Sequence, residues 1–217
     1  MVMNMLLKAI LFALIGYVAG SIPWALIIGK VFYKTDIREH GSGNLGATNA
    51  GRVLGTKVFY IVAVLDAMKG FIAYMVLKQI DPSLALLTAV FTVIGHCYPL
   101  FSGFKGGKGV ATSAGILLAI SLTSLKYFAF QVGIPLIVFA GLALTTQYIS
   151  LGSMCAFISA SIVCWCMNPD KRICILITLL TVFIIYKHKA NIQRLLNHTE
   201  NKFSLTKKKE LTHRDER

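Results

Sequence analysis

Three polar segments interrupt an otherwise apolar chain, and their residue types suit the binding of an anion and the positioning of a hydroxyl group. The first runs from Gly41 to Arg52, the second from Gly95 to Gly109, and the third from His188 to Arg194. Segments of this kind are costly in a bilayer unless they line a wet cavity or lie at its rim. If all three lie on one membrane face, they can build a single site.

The first segment contains Gly-Ser-Gly-Asn-Leu-Gly, which matches the glycine pattern of dinucleotide-binding folds. That fold needs a preceding strand and an acidic residue about twenty positions later, whereas here a long apolar run comes first. We therefore expect a loop whose backbone N–H groups approach an anion, with a plain glycine-rich turn as the alternative. The predicted phosphate-binding residues are Ser42, Gly43, Asn44, Thr48, Asn49 and the planar guanidinium of Arg52.

The second segment places Lys105 and Lys108 in a glycine-rich turn that leads into an apolar run. It is not a P-loop, because Lys108 is followed by Gly109 rather than by Ser or Thr. Two cations before a helix N-terminus still suit a phosphate group. His96 precedes this turn, and it is predicted either to act in catalysis or to be a satisfied structural residue.

The third segment places His188 and Asn191 three residues apart, hence on one face of a helix. Histidine can accept a proton near neutral pH and asparagine can orient a hydroxyl, so both are candidate catalytic residues. An ordinary helix end with charged residues is the alternative. Asp66 and Lys69 have the same spacing within an apolar run, and we predict a structural ion pair beneath the site rather than direct catalysis.

The elements that must position these residues are membrane helices. Of 217 residues 56% are hydrophobic and 14% are charged, whereas soluble domains carry about a quarter charged residues. We predict an all-α, polytopic integral membrane protein with about seven transmembrane helices, the first too long for a signal peptide and the fourth short for a full span. The runs are Leu6–Ile28, Val58–Leu77, Leu84–Phe101, Val110–Leu122, Tyr127–Tyr148, Leu151–Met167 and Ile173–Tyr186.

Lysine and arginine are concentrated in the connections after odd-numbered runs and in the C-terminal tail. The other side carries only Lys78, Lys126, Lys171 and Arg172. The positive-inside rule therefore places the N-terminus outside, the C-terminus in the cytoplasm and all three polar segments on the cytoplasmic face. Residues 1–200 are predicted to form one membrane domain, and residues 201–217 a basic cytoplasmic tail that meets anionic lipid rather than nucleic acid.

Small residues and cysteines are assigned packing roles. Gly16 and Gly20 form a Gly-x-x-x-Gly pattern that is typical of close helix contacts. The five cysteines lie in or beside apolar runs without metal-ligand spacing, so we expect buried apolar residues, no disulfide framework and no metal site.

Taken in order, these motifs resemble the bacterial integral-membrane glycerol-3-phosphate acyltransferases that use acyl phosphate as donor. The resemblance covers nearly the full chain. It rests on Gly20-Ser21-Ile22-Pro23 and on residues 36–55, 65–70, 95–112 and 186–202. Two positions depart from the family pattern: His198 stands where glycine is usual, and Gln147 where arginine is common.

The resemblance implies a seven-helix fold with a cytoplasmic active site in the bacterial cytoplasmic (inner) membrane. It implies acyl transfer to the 1-hydroxyl of glycerol 3-phosphate, giving lysophosphatidate and phosphate. By position, Ser42, Arg52 and Lys108 resemble phosphate ligands, and His188 and Asn191 the pair near the attacking hydroxyl. The residues expected to support them are Asp66, Lys69, His96, Ser150, Ser153, Arg194 and Glu200.

Acyl phosphate is already activated, so the protein has mainly to align the hydroxyl and stabilise negative charge. Direct transfer without cofactor is expected, with His188 or a substrate phosphate oxygen as the base. The His-x4-Asp motif of acyl-thioester-dependent enzymes is absent, which argues against acyl-CoA as donor. The expected partners are the two substrates, the bilayer and an enzyme that produces acyl phosphate. A transporter for a phosphorylated metabolite is the alternative.

Overall fold

Each of the seven predicted apolar runs overlaps one or more helices of the protein, of which a computed structural model describes residues 4–203. In lipid every backbone polar group must be satisfied within the protein, and the helix does this within one segment. The helices are α1 (Met5–Gly20), α2 (Trp24–Tyr33), α3 (Ala47–Leu54), α4 (Thr56–Ile80), α5 (Ala85–Cys97), α6 (Val110–Ser121), α7 (Leu125–Thr146), α8 (Ile149–Met167), α9 (Lys171–Lys187) and α10 (Lys189–Leu196). The basic tail beyond residue 203 lies outside the described residues.

The number of complete membrane crossings and their direction remain predictions. By length and apolarity, five helical segments of the described chain are able to cross a membrane, among them the stretch Met5–Tyr33 that combines α1 and α2. The sixth candidate is the pair α9 and α10, which is bent by 59°. The remaining apolar helix, α6, has 12 residues and is therefore short of a full span, as the sequence predicts.

The first predicted run is not one regular helix. It is interrupted at Ser21–Pro23, where α1 ends and α2 begins. Proline lacks a backbone N–H and clashes with the preceding turn, so it ends a helix more readily than it continues one. Farther along the chain, residues Phe128–Gly133 form a π-helical turn within α7.

Two helix contacts are close enough to exclude any side chain larger than that of glycine. A Cβ atom on Gly20 of α1 would lie 2.0 Å from the carbonyl oxygen of Thr92 in α5, and one on Gly16 would lie 2.6 Å from that of Thr88. In the second contact, a Cβ atom on Gly115 of α6 would lie 1.9 Å from the carbonyl oxygen of Ala67 in α4. The packing role predicted for Gly16 and Gly20 is thus confirmed.

Apolar residues occupy both the interior and the outer surface. Val93, Ile116 and Ile177 from α5, α6 and α9 are fully buried in the largest core cluster. Large apolar side chains such as Leu14 and Ile137 are exposed, as suits a surface that faces lipid.

The cysteines follow the predicted burial only in part. Cys97, Cys164 and Cys174 are buried and Cys155 is partly buried. Cys166 is exposed, and a small apolar residue can equally well lie on a surface that faces lipid.

Candidate active site

A cavity of about 410 Å³ forms where the three polar segments meet. This volume lies within the usual range for small-molecule sites. Its polar lining residues come from all three segments, from α4 and α8 and from the stretch after α10, so the structure brings separate parts of the chain together around one cavity. They are Ser42, Asn44, Thr48, Asn49, Arg52, Asp66, His96, Lys108, Ser150, Ser153, His188, Asn191 and Glu200.

Residues 41–46 of the first segment form a loop, which is held in shape by Asn49 of α3. The side-chain oxygen of Asn49 accepts a hydrogen bond from the backbone N–H of Ser42 at 2.8 Å. Its amide nitrogen donates to the carbonyl oxygens of Ile37 and His40, both at 3.1 Å. The side chain of Asn49 therefore uses its hydrogen bonds to hold the loop, while Ser42 and Thr48 lie on the cavity wall.

Arg52 reaches the cavity from α3. One terminal nitrogen, Nη2, donates to the backbone oxygen of Asn201 at 2.9 Å. The Nε atom is buried and has no hydrogen-bond partner among residues 4–203. A buried donor without a partner is costly, and an anion in the cavity would satisfy it.

Lys108 is the cation that the second segment brings to the cavity. Its Nζ donates to the side-chain oxygen of Asn191 at 2.5 Å, which joins the second and third segments. Burial lowers the pKa of Lys108 to about 8; the carboxylate of Glu200 opposes this shift, and Arg194 and Arg52 add to it. Lys105 in the same turn is exposed and lies outside the cavity lining.

His188 lies at the bend between α9 and α10. Its Nδ1 is 2.8 Å from the carbonyl oxygen of Ile184, and the residue is 3% exposed. A carbonyl oxygen can only accept, so Nδ1 carries the proton and Nε2 of the neutral ring is a hydrogen-bond acceptor. The histidine therefore has the tautomer that a proton acceptor requires.

Glu200 joins three parts of the site through its carboxylate. Oε1 accepts from Asn191 Nδ2 at 2.7 Å and from Ser150 Oγ at 2.8 Å, and Oε2 accepts from Arg194 Nε at 2.7 Å. Burial alone would raise the pKa of Glu200, but these hydrogen bonds lower it below its usual value. Glu200 therefore stays ionised and fixes the orientation of the Asn191 amide.

The chain reaches Glu200 through a left-handed residue. His198 has a φ of 55° and stands where the resembled family usually has glycine. A turn at this position is required for Glu200 to fold back beneath α10. Although His198 replaces the usual glycine, the backbone keeps the left-handed conformation that glycine favours.

A buried polar cluster lies beside the cavity. The ion pair predicted between Asp66 and Lys69 is present, with Lys69 Nζ 2.9 Å from Asp66 Oδ1. His96 Nδ1 lies 3.5 Å from the same carboxylate oxygen. Asp66 and His96 line the cavity, whereas Lys69 points to the carbonyl oxygen of Ile22 at 3.0 Å.

The remaining predicted residues lie at the edge of the site. Ser153 lines the cavity, but its hydroxyl donates to the Ile149 carbonyl oxygen of its own helix at 2.7 Å. Gly43, Lys105 and Arg194 are not part of the lining, and Arg194 is joined to the cavity by its hydrogen bond with Glu200.

The sequence motifs did not identify an apolar arm of the same cavity. It is about 15 Å long from Ser150 to Ala160 along α8, at 1.5 Å per residue. Leu136 lines this arm and is 61% exposed, so the arm opens towards the lipid. Small residues four apart, such as Ala63 and Ala67, are the available signal in the sequence. The apolar lining is Phe59, Tyr60, Ala63, Ala67, Val110, Ala111, Ala114, Leu117, Val132, Pro135, Leu136, Phe139, Ala156, Phe157 and Ala160.

Comparisons with known proteins agree with this geometry. Residues 10–198 match the family model described as glycerol-3-phosphate acyltransferase. Proteins of that name from Listeria welshimeri and Listeria monocytogenes are 46% and 45% identical over 202 residues, which cover 91% of this chain and 98% of each relative.

Solved structures are similar over the same extent. The crystal structure of PlsY (YgiH), an integral membrane glycerol 3-phosphate acyltransferase, in its glycerol 3-phosphate form has a TM-score of 0.82 and 36% identity. Its lysophosphatidic acid form has a TM-score of 0.79 and 35% identity. Both matches cover 91% of this chain and 96% of the solved one.

Proposed function

The chain belongs to the glycerol-3-phosphate acyltransferase family, and on this premise we propose that it uses acyl phosphate as donor. The proposed reaction transfers the acyl group to the 1-hydroxyl of sn-glycerol 3-phosphate and gives lysophosphatidate and inorganic phosphate. The observation that carries the proposal is the continuity of the cationic, hydroxyl-positioning end of the cavity with an apolar arm that opens to lipid.

Phosphate recognition is assigned to Arg52 and Lys108, with Ser42 and Thr48 on the same wall. Arg52 offers a planar fork with an unsatisfied Nε, and Lys108 offers a point charge. Both cations also stabilise the negative charge that develops on the acyl carbonyl oxygen and the leaving phosphate. The acyl chain is assigned to the apolar arm.

The hydroxyl is assigned to His188 and Asn191. Its oxygen attacks the acyl carbon, the bond between that carbon and the phosphate oxygen breaks, and inorganic phosphate leaves. The hydroxyl proton passes to a base, which is either His188 Nε2 or an oxygen of a substrate phosphate. The tautomer fixed by the Ile184 carbonyl oxygen supports His188 as an acceptor.

Direct transfer is favoured over a covalent acyl-enzyme. Among the described residues the cavity lining contains no cysteine. The hydroxyl of Ser150 is bonded to the carboxylate of Glu200, and that of Ser153 to a backbone oxygen. Neither serine is paired with a histidine, which is the arrangement that activates a serine nucleophile.

The proposal also places the site on the cytoplasmic face of the bacterial inner membrane, where glycerol 3-phosphate is dissolved. Acyl phosphate must then come from a separate enzyme that makes it, and contact with that enzyme remains a prediction.

The test is reconstitution of the purified protein in lipid with glycerol 3-phosphate and either acyl phosphate or acyl-CoA. We expect lysophosphatidate from acyl phosphate alone, in equal amount to released phosphate. Lys108→Ala should lose this turnover, whereas the control Lys105→Ala in the same turn should retain it. Equal rates with acyl-CoA would overturn the donor assignment, and uptake of glycerol 3-phosphate into vesicles without product would indicate a transporter.

A further inference from the structure

We propose that Asp66, Lys69 and His96 form a positioning cluster that holds the turn Gly106–Gly107, and through it Lys108, in place for phosphate binding. The inference rests on the proposed function, because it takes Lys108 as a ligand of the substrate phosphate. The cluster acts on the substrate through Lys108 and takes no part in proton transfer.

The cluster is built from charges that are expensive to bury. The side chains of Lys69 and Asp66 are only 5% and 2% exposed. Removing two charges from water costs several kcal/mol per ion, and an apolar pair of the same volume is often as stable. A contribution to stability therefore does not explain why an ion pair lies in the middle of α4. A role in positioning other groups does explain it.

Lys69 joins the cluster to the interruption of the first membrane segment. Its Nζ contacts both Asp66 and the carbonyl oxygen of Ile22, which lies between α1 and α2. The lysine thus satisfies a backbone group at the break and fixes the carboxylate of Asp66 on the side that faces His96.

His96 connects the ion pair of Asp66 and Lys69 to the turn Gly106–Gly107. Its Nδ1 faces Asp66 at 3.5 Å, and the opposite edge of its ring lies against Gly107. A Cβ atom on Gly107 would lie 2.1 Å from His96 Nε2, and one on Gly106 would lie 2.2 Å from the His96 carbonyl oxygen. The Gly107 N–H donates to that same oxygen at 3.1 Å.

Lys108 follows Gly107 directly and contacts Asn191 across the cavity. A shift of about 1 Å in a positioning group costs up to a hundredfold in rate. Loosening the ring of His96 would displace the ammonium of Lys108 from the phosphate subsite without removing any group that contacts the substrate.

The first variant is Asp66→Ala/Lys69→Met, which removes both charges together and leaves neither buried alone. We expect the KM for glycerol 3-phosphate to rise about tenfold. Asp66→Asn/Lys69→Met retains an oxygen acceptor for His96 Nδ1 and should recover most of the affinity. The matched control is Asp81→Ala/Lys8→Met, which removes the ion pair between Lys8 and Asp81 and should leave KM unchanged.

A double-mutant cycle with Lys108→Ala separates positioning from a general loss of structure. Because Lys108→Ala should lack turnover, the cycle compares equilibrium dissociation constants for glycerol 3-phosphate. If the cluster acts through Lys108, its removal adds nothing to the weakened binding of Lys108→Ala, whereas independent effects multiply. Gly107→Ala, whose added Cβ atom would lie against His96 Nε2 and displace the turn, should weaken glycerol 3-phosphate binding in the same non-additive way. This variant keeps the test decisive where Asp66→Ala/Lys69→Met does not fold.

The inference is wrong if the effects of the cluster variant and of Lys108→Ala multiply. It is also wrong if the KM for glycerol 3-phosphate is normal in a folded cluster variant or in Gly107→Ala. Wild-type protein assayed in parallel distinguishes this from a failure of the proposed function. If wild type makes no lysophosphatidate from acyl phosphate, the function is wrong; if wild type is active and the cluster variants equal it, only the cluster is wrong.

Discussion

Arg52 combines one bonded and one unsatisfied nitrogen in its guanidinium group. We predict that Arg52→Ala lowers turnover about ten- to a hundredfold while the protein stays folded, because the loss of a charged hydrogen bond costs about 1.5–3 kcal/mol and each 1.36 kcal/mol is about a factor of ten in rate. Arg52→Lys should restore only part of the activity, since an ammonium cannot replace the planar fork. Initial rates and thermal unfolding in detergent measure both effects.

The control for Arg52 is Arg172→Ala, which removes an exposed arginine that is paired with Asp170 and is not part of the cavity lining. It should retain activity. Near-normal turnover of Arg52→Ala would remove Arg52 from the phosphate site.

The lowered pKa of Lys108 leads us to predict that the affinity for glycerol 3-phosphate falls at alkaline pH. Its pKa is lowered to about 8, so the ammonium is present below that pH and is lost as the pH rises through it. The KM for glycerol 3-phosphate should therefore rise by up to about tenfold for each pH unit above 8. Lys108→Arg stays charged and should show a flat KM between about pH 7 and 10. A parallel rise in both proteins would assign the titration to another group.

At the level of single residues, the sequence identified which residues line the cavity better than it predicted how the fold presents them. Arg52, Lys108, His188 and Asn191 all line the cavity. The motif gave no means to separate Lys108 from Lys105, because the two differ only in the direction in which a glycine-rich turn presents them. That direction depends on tertiary contacts, here with His96 and Asn191.

At the level of elements, the apolar runs located the helices to within a few residues, because membrane helices need long apolar segments. The interruption at Ser21–Pro23 has a local signal in proline. The 59° bend at His188 has none, since the apolar run simply ends and the chain continues as helix. This bend turns Asn191 back over the cavity, so the sequence could not show how the third segment meets the second.

The close contact between α4 and α6 leads us to predict that substitution of Gly115 lowers the stability of the protein. Gly115→Ala should destabilise the protein by about 1–3 kcal/mol, because its Cβ atom would lie 1.9 Å from a backbone oxygen of the neighbouring helix. Gly141→Ala in α7 is the matched control, since nothing lies within 4 Å of the added atom. Thermal unfolding in detergent should show a lowered midpoint for Gly115→Ala alone. Equal midpoints would mean that the helices separate easily.

At the level of the whole molecule, one bundle end carries a polar pocket with an apolar arm. The motifs predicted the polar part because its residue types are rare in membrane helices. The arm is built from the same Ala, Val, Leu and Phe residues that cover the lipid-facing surface, so nothing in the composition marks it. The spacing of small residues such as Ala63 and Ala67 is the one signal in the sequence, and the arm itself forms where α4, α6, α7 and α8 pack together.

The direction of this bundle in the membrane is the last prediction. Lysine and arginine are concentrated at the end that holds the site, so we expect that end in the cytoplasm. In a variant with all five cysteines replaced by alanine, Lys57→Cys and Lys126→Cys introduce matched exposed thiols in connections predicted to lie on opposite sides.

A membrane-impermeant maleimide should label Lys126→Cys in intact spheroplasts and Lys57→Cys only after lysis. Activity of each variant on glycerol 3-phosphate controls for its fold. The reverse labelling pattern would place the cavity outside, away from the dissolved substrate. Labelling of both thiols in intact spheroplasts would instead contradict an odd number of crossings between residues 57 and 126, and with it the assignment of the short helix α6 as a span.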